Sequence, residues 1–285
     1  MTFFEVPSDI AIASVLGLLV GSFLNVVIFR LPKMLERQWA REHQEWSGVE
    51  PATELATSAP FNLLVPRSQC PKCAAPVRWQ HNIPVLSYLI LRGRCSRCQA
   101  TISPQYPLVE LATAAIFGLC AARWGQTVTA GAWCVFAVGL LVLACIDWET
   151  TLLPDVLVLP LLWLGLIAAN LQWTATPPSD ALWGAIGGYL SLWSVYWAFK
   201  WATGKEGMGY GDFKLFACMG AWFGWQLLIP LILLSSIVGT VAGLALKLGG
   251  GLREGGYLPF GPFLAGAGFL CLAVTPESLR GGLGL

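Results

Sequence analysis

Apolar stretches long enough to cross a membrane alternate with short polar segments along most of the chain. The first runs from Ile10 to Phe29 and closes at Arg30, and about 20 residues span the hydrocarbon core as a helix. Seven more apolar segments follow a long polar region, at about 107–123, 129–146, 154–171, 181–200, 212–225, 227–247 and 259–275. The pattern predicts an all-α polytopic membrane protein with about eight transmembrane helices.

Composition supports this fold class. Hydrophobic residues make up 56% of the chain, charged residues 12%, and the mean hydropathy is +0.64, which is too apolar for an ordinary soluble domain. The net charge of +1 gives no indication of a nucleic-acid partner, so the lipid bilayer is the expected surrounding. No basic segment precedes the first apolar run, which we therefore expect to be a retained span and not a cleaved signal peptide.

The polar region divides the chain into three parts. We expect a first transmembrane helix over 1–30, a polar loop over 31–106, and a seven-helix membrane domain over 107–285. Within the loop, the part from Lys33 to Trp46 could form a helix. The part from Pro51 to Pro66 is rich in Ala, Thr, Ser and Pro, which is typical of a linker.

Two C-x-x-C pairs in the loop predict a metal site. Cys70 and Cys73 are separated from Cys95 and Cys98 by 21 residues, a tetrathiolate zinc pattern. Similar residues follow each pair, which suggests two similar hairpins. Four thiolates leave no open position for a catalytic water, so Zn²⁺ is expected to stabilise the loop's fold and not to react. Disulfides are the alternative, and the compartment decides between them.

The placement of basic residues predicts the orientation in the membrane. With eight spans, 15 of the 17 Lys and Arg residues lie on the side of the polar loop, and only Arg123 and Arg280 lie on the other. The positive side is cytoplasmic, so both termini face outward. A cytoplasmic loop lies in a reducing compartment, which favours thiolate–metal bonds over disulfides.

Two aspartates at the edges of apolar segments are the candidate catalytic residues. Asp147 ends the third span and Asp212 begins the sixth, so both fall on the cytoplasmic side, where a charge next to a span is a functional candidate. An aspartate pair that shares one proton and one water can hydrolyse a peptide bond. The glycine-rich stretch from Gly207 to Gly211 leaves room for an extended substrate.

Several neighbouring residues have two interpretations. Gly209 and Gly211 are expected to support the catalytic loop, and Lys214 either modulates the charge of Asp212 or anchors the span. Asp155 follows a proline at a predicted helix start, where a carboxylate meets the helix dipole. Glu149 lies in a wet turn, and Asp147 itself could be merely juxtamembrane. Glu110 lies one turn inside the second span, where it serves a site or reaches the interface.

The first span carries a further ambiguous motif. Gly21, Ser22 and Asn25 follow each other at helical spacing. They form either a small-residue packing face or a direct part of a site.

The motifs together resemble the type IV prepilin peptidases, also called leader peptidase/N-methyltransferases. The resemblance covers most of the chain. It is carried by the four cysteines and by the segments Gly21–Pro32, His81–Pro84, Tyr106–Glu110, Asp147–Asp155 and Gly207–Lys214.

The resemblance implies an intramembrane aspartyl protease of the bacterial inner membrane, with catalytic aspartates at Asp147 and Asp212 and the G-x-G-D pattern at Gly209–Asp212. Its implied substrates are type IV prepilins and type II secretion pseudopilins, cleaved after a glycine behind a short basic leader. It also implies N-methylation of the new amino terminus with S-adenosylmethionine. The chain has no G-x-G-x-x-G after a strand, so the candidates for the methyl-donor site are Glu110 and the Gly21–Arg30 motif.

Two other functions fit parts of the sequence. A proton-coupled transporter could use both aspartates as relays, although such carboxylates are expected near the bilayer middle. A zinc-loop scaffold for a pilus or secretion assembly would need no catalysis at all.

Overall fold

The computed structural model describes residues 8–47, 61–249 and 258–274, which form two compact units, Met1–Gln126 and Thr127–Leu285. Arg253, Arg280 and residues 51–60 of the predicted linker lie outside the described residues. The described residues are mainly helical, and the only β-pairing within them is two isolated bridges.

The first unit consists of two long helices and the loop between them. Helix α1 covers Ser8–Ser47, the short helix α2 covers Leu86–Ile90, and α3 covers Gln105–Trp124. The sequence predicted that the first span closes at Arg30, but α1 continues through Pro32 to Ser47. The whole helix has 40 residues. At 1.5 Å per residue this is about 60 Å, twice the roughly 30 Å of a hydrocarbon core. A single proline removes one helical hydrogen bond, and here it does not end the helix.

Arg30 ties this helix to the loop. The side chain is 8% exposed and donates to the carbonyl oxygens of Asn62, at 2.9 Å, and Pro66, at 2.6 Å. Burying a charge is costly unless its hydrogen bonds are made. Arg30 therefore fixes the beginning of the described part of the loop on α1, and does not mark a helix end.

Small residues bring α1 and α3 into close contact. A Cβ atom on Gly21 would lie 2.7 Å from Cα of Glu110, and one on Gly17 would lie 2.7 Å from Cα of Ala114. One turn beyond Gly21, Asn25 donates to the carbonyl oxygen of Tyr106 at 3.1 Å. The packing-face interpretation of the Gly21–Asn25 motif is therefore confirmed.

The second unit contains one helix for each of its six predicted spans. They are α4, Val128–Thr150; α5, Asp155–Asn170; α6, Pro178–Thr203; α7, Tyr210–Phe223; α8, Leu228–Leu248; and α9, Gly261–Ala273. By length and composition, four helices of the described chain are able to cross a membrane: α1, α3, α4 and the segment Trp225–Leu248 that contains α8. Helices α5 and α9 are apolar but shorter. The protein is thus a helical membrane protein, and the count of eight spans stays a prediction.

Helix α7, which corresponds to the shortest predicted span of the second unit, lies at the centre of that unit. Every residue from Phe213 to Phe223 is buried except Lys214. A helix that is buried on all sides needs apolar residues on all sides. Its far end packs against α4 in an aromatic cluster, in which the rings of Phe136 and Trp222 are stacked with centroids 4.6 Å apart. This buried helix carries Asp212 at its beginning.

Glycines allow α6 to approach α7 at backbone distance. Cβ atoms placed on Gly184 or Gly220 would each overlap the carbonyl group of the other residue. One on Gly188 would lie 2.8 Å from the carbonyl oxygen of Phe216. The α6–α7 contact therefore requires glycine, which has no side chain, at these three positions.

We expect Gly220→Ala to lower the free energy of unfolding by about 1–3 kcal/mol, the usual cost of overpacking. The matched control is Gly131→Ala in α4, where a Cβ atom would meet nothing within 4 Å. Thermal unfolding in detergent, followed by tryptophan fluorescence, should show a lower midpoint for Gly220→Ala alone. Equal midpoints for the two variants would contradict the close α6–α7 contact.

Candidate active site

Asp147 lies buried in the last turn of α4. It is 4% exposed, and its Oδ2 accepts a hydrogen bond from the backbone N–H of Gly261 at 3.0 Å. Gly261 is the first residue of α9, so the positive end of that helix dipole faces the carboxylate. Helix α4 ends at Thr150, and the next residue, Thr151, has φ 56° and donates its N–H to the Asp147 carbonyl at 2.8 Å.

Asp212 lies in the first turn of α7 and is 7% exposed. Its Oδ1 is buried and has no hydrogen-bond partner in the described structure. Asp147 is near enough to act on it electrostatically. The structure thus brings the two predicted aspartates together at neighbouring helix ends. Two buried carboxyl groups that act on each other electrostatically cannot both ionise cheaply, so they are suited to share a proton.

The predicted loop glycines differ in what they contribute. A Cβ atom on Gly211 would lie 2.7 Å from Cβ of Leu153, so Gly211 permits a close approach behind the site. Gly209 has an ordinary φ of −78°, and the nearest atom to its Cβ position is Oδ2 of Asp212 at 3.7 Å. Space therefore requires glycine at Gly211 but not at Gly209.

Gly261 is a residue of the site that sequence reasoning missed. A Cβ atom there would lie 2.5 Å from Oδ2 of Asp147. The available signal was the Gly-Pro pair at the start of the last apolar segment, because proline in the first turn marks a helix beginning whose amides face outward. Only the folded chain shows that these amides face Asp147.

Lys214 pairs with Asp155. Its Nζ lies 2.7 Å from both carboxylate oxygens of Asp155, and the two side chains are 29% and 54% exposed. Asp155 is the first residue of α5, as its predicted helix-start position requires. The pair joins the beginnings of α5 and α7 at the edge of the site, and Glu149 is exposed nearby in sequence.

The four loop cysteines of the first unit form one cluster. Their Sγ atoms all lie within 4.8 Å of one another, and those of Cys70 and Cys98 are 3.7 Å apart. A tetrahedral ion with Zn–S bonds of about 2.3 Å places its sulfurs about 3.8 Å apart. The cluster could therefore hold a metal ion such as zinc.

The cysteine pairs lie on two hairpins with the same backbone pattern, as the sequence predicted. The N–H of Cys70 donates to Ala75 at 2.9 Å, and the N–H of Cys95 donates to Ala100 at 2.8 Å. Each hairpin also contains one residue of positive φ, Ala74 in the first and Gln99 in the second. An isolated β-bridge closes each hairpin.

Backbone amides favour the thiolate form at the first cysteine of each hairpin. The amides of Cys73 and Lys72 lower the pKa of Cys70 to about 6, and those of Cys98 and Arg97 lower the pKa of Cys95. At Cys98 the Ala100 amide acts in the same direction, but burial and hydrogen bonds with the other thiols raise the pKa to about 11. Thiolates are the metal-binding form, so these amides prepare the cluster for a cation.

Glu110 is buried in α3 and holds the loop. Its Oε2 accepts a hydrogen bond from the N–H of Val85 at 2.8 Å, and Ser22 of α1 lies within hydrogen-bonding reach. Val85 has φ 58°, which is rare for a β-branched residue. Glu110 therefore binds a strained point of the backbone just before α2.

The fold and the site define a polytopic helical membrane protein with a buried aspartate pair and a four-cysteine loop. Residues 15–124 match the Bacterial Peptidase A24 N-terminal domain, and residues 134–244 match the Type IV leader peptidase family. The chain belongs to this family. No solved structure shows significant similarity to it.

Several relatives match nearly the whole chain. A protein of Pseudomonas aeruginosa named prepilin leader peptidase/N-methyltransferase is 55% identical over 90% of this chain and 87% of its own length. Relatives with the same name are 53% identical in Stutzerimonas stutzeri, over 91% of this chain and 89% of that protein, and 47% identical in Burkholderia pseudomallei strain 1026b, over 91% and 84%. These matches cover both the cysteine loop and the aspartate pair.

The cluster geometry predicts about one zinc ion per chain in the purified protein. We expect the double variant Cys73→Ser/Cys98→Ser to lose most of it, because one thiolate from each hairpin is removed. Cys134→Ser, outside the loop, is the control and should keep its metal. Metal content measured by mass spectrometry decides the matter, and an unchanged content in the double variant would rule out this cluster as the zinc site.

Proposed function

We propose that the protein removes the basic leader peptide from type IV prepilins and type II secretion pseudopilins and then N-methylates the new amino terminus. The observation that carries the proposal is the buried Asp147–Asp212 pair in a chain that is 47–55% identical to proteins named prepilin leader peptidase/N-methyltransferase. The transporter and scaffold alternatives are not favoured by these relatives.

In the proposed cleavage, the two aspartates act as base and acid. One ionised carboxyl takes a proton from a water molecule, and one neutral carboxyl donates a proton to the substrate carbonyl. Asp147 is the proposed base, because the Gly261 amide and the start of α9 favour its negative charge. Asp212 is the proposed acid, because its Oδ1 is buried without a partner, which suits a neutral group.

The substrate class fits the location of the pair. A prepilin presents an apolar helix preceded by a polar leader, so its scissile bond lies at the border between bilayer and water. Asp147 and Asp212 lie at the ends of apolar helices, and the distribution of Lys and Arg supports the cytoplasmic side. We therefore place the reaction at the cytoplasmic face of the bacterial inner membrane, with the cysteine loop on the same side.

The zinc ion has a structural role in this proposal. Four thiolates complete a tetrahedral site, so no position is open for water or substrate. Structural zinc contributes about 10–16 kcal/mol of apparent binding free energy to folding in small zinc modules. The hairpins of the loop have few other stabilising elements, since their β-pairing is limited to isolated bridges.

Methyl transfer requires the amine that cleavage releases, and the proposed methyl donor is S-adenosylmethionine. Its sulfonium is a cation, which a buried carboxylate attracts. Glu110 is such a carboxylate in the described part of the first unit and is the candidate residue for the donor site. Because Glu110 also holds Val85, its removal would disturb the loop as well.

The aspartate pair is tested by cleavage of a purified prepilin in detergent. We expect Asp147→Asn and Asp212→Asn to lower the cleavage rate by about 10²–10⁴-fold or more, since an amide does not exchange protons as a carboxyl group does. Glu149→Gln is the control, because it removes an exposed charge two residues from Asp147. A folded Asp147→Asn or Asp212→Asn variant that cleaves at the wild-type rate would remove that residue from the proposal.

The same variants separate the two activities. We expect both to methylate a substrate whose leader has already been removed, because neither aspartate is the proposed donor-site residue, Glu110. Transfer of labelled methyl groups measures this directly. Loss of methylation in folded aspartate variants would place both reactions at one site.

Gly261→Ala tests the contact between α9 and Asp147. The added methyl group would displace the carboxylate, and a misplacement near 1 Å costs about 10²-fold in rate. We therefore expect kcat for cleavage to fall by about tenfold to hundredfold with little change in KM. Gly266→Ala in the same helix is the control, because a Cβ atom there meets nothing within 4 Å. Equal rates in the two variants would show that the contact does not serve catalysis.

A further inference from the structure

The segment between α6 and α7 determines where α7 begins, and so where Asp212 in its first turn lies. Helix α6 ends at Thr203 with Gly204 in a left-handed conformation, and α7 begins at Tyr210. Residues 201–207 are all exposed. A short exposed segment with several glycines has many accessible conformations, yet it must deliver Asp212 to Asp147 in one geometry.

Lys200 and Glu206 tie the two ends of this segment together. Lys200 lies in the last turn of α6, and its Nζ is 2.9 Å from Oε1 of Glu206 and 3.2 Å from the hydroxyl oxygen of Tyr196. The hydrogen bond from Lys200 holds the pKa of Glu206 below its usual value, so the pair stays charged at neutral pH.

Lys200 is itself held in place by aromatic rings. Its Nζ lies 5.5 Å from the ring centroid of Tyr196 and 5.4 Å from that of Trp197, within the range of cation–π attraction. Tyr196 is 2% exposed. The ammonium group therefore projects from a fixed platform on α6, and Glu206 docks on it.

The same platform contacts the residues on both sides of Asp212. The ring of Tyr196 lies 5.1 Å from that of Tyr210 and 5.6 Å from that of Phe213. Tyr196 thus connects Glu206, through Lys200, with the first turn of α7. A second constraint acts next to Glu206, where a Cβ atom on Gly207 would lie 2.9 Å from the ring of Phe199.

We propose that Lys200 and Glu206 are positioning residues for cleavage, and that their ion pair fixes the loop from Gly204 to Gly209 so that Asp212, in the first turn of α7, meets Asp147. The proposal rests on the proposed peptidase function. Neither side chain touches the carboxylates, so their effect passes through the loop and through Tyr196.

A positioning role and a stabilising role for the Lys200–Glu206 pair predict different effects on the unfolding midpoint and on the cleavage rate. Exposed ion pairs contribute little to global stability, and the two side chains are 32% and 66% exposed. Their loss should therefore leave the unfolding midpoint nearly unchanged. A small displacement of a catalytic group, in contrast, lowers the rate strongly.

The test measures kcat and KM for prepilin cleavage in Lys200→Met, Glu206→Gln and the double variant. We expect kcat to fall by about tenfold or more in each single variant, with KM within about twofold of wild type. The double variant should be no worse than the more affected single variant, because both remove the same interaction. Lys200→Arg keeps the charge and the donors and should recover most of the rate.

Lys205→Met is the matched control, because it removes a neighbouring exposed cation outside this pair and should keep the wild-type kcat. The proposal is overturned if the single variants behave as Lys205→Met does, or if their effects add in the double variant. It is also overturned if KM rises at unchanged kcat, which would mean that Glu206 binds substrate. An inactive wild type would refute the peptidase function, whereas an active wild type with unaffected variants refutes only the positioning pair.

Discussion

The need to bury two carboxyl groups close enough to influence each other is the constraint on which the second unit depends. Apolar packing alone would exclude Asp147 and Asp212, so each lies at a helix end where backbone amides or water can reach it. Helix α7 is surrounded by other helices so that its first turn is held firmly, and Gly184, Gly188 and Gly220 permit the backbone contact that surrounds it. The close packing of α7 therefore holds in place a carboxyl group whose burial is costly.

In the first unit, the constraint is to hold a long loop on a pair of helices. Few apolar side chains are buried in the described part of its loop, and polar anchors hold the loop instead. Arg30 binds the carbonyl oxygens of Asn62 and Pro66, Glu110 binds the amide of Val85, and the four cysteines gather two hairpins around one point. Arg30 and Glu110 belong to helices that pack on each other through glycine, so the loop and the helix pair are fixed together.

Sequence patterns predicted the helices of the second unit well, because long apolar segments bounded by glycine, proline and charge have few alternatives in a bilayer. The cysteine spacing also predicted the cluster, since the spacing within each pair is set by local hairpin geometry. Periodicity could not reveal contacts between distant segments. The partner of Lys214 is Asp155, 59 residues away, and Gly261 reaches Asp147 across 114 residues. The helix expected over Lys33–Trp46 is present, but its continuity with the first span through Pro32 was not predicted, because proline is a local signal for a helix end.

The helices whose first residues meet at the aspartate pair are short. Helices α5, α7 and α9 have 16, 14 and 13 residues, or about 24, 21 and 20 Å at 1.5 Å per residue. Each is shorter than the roughly 30 Å of hydrocarbon in an average bilayer, and a short apolar stretch is accommodated by local thinning of the membrane. Thinning brings water closer to the depth at which such a helix begins. A peptide bond at that depth, which a bilayer of ordinary thickness would shield, becomes accessible to hydrolysis without being pulled out of the membrane.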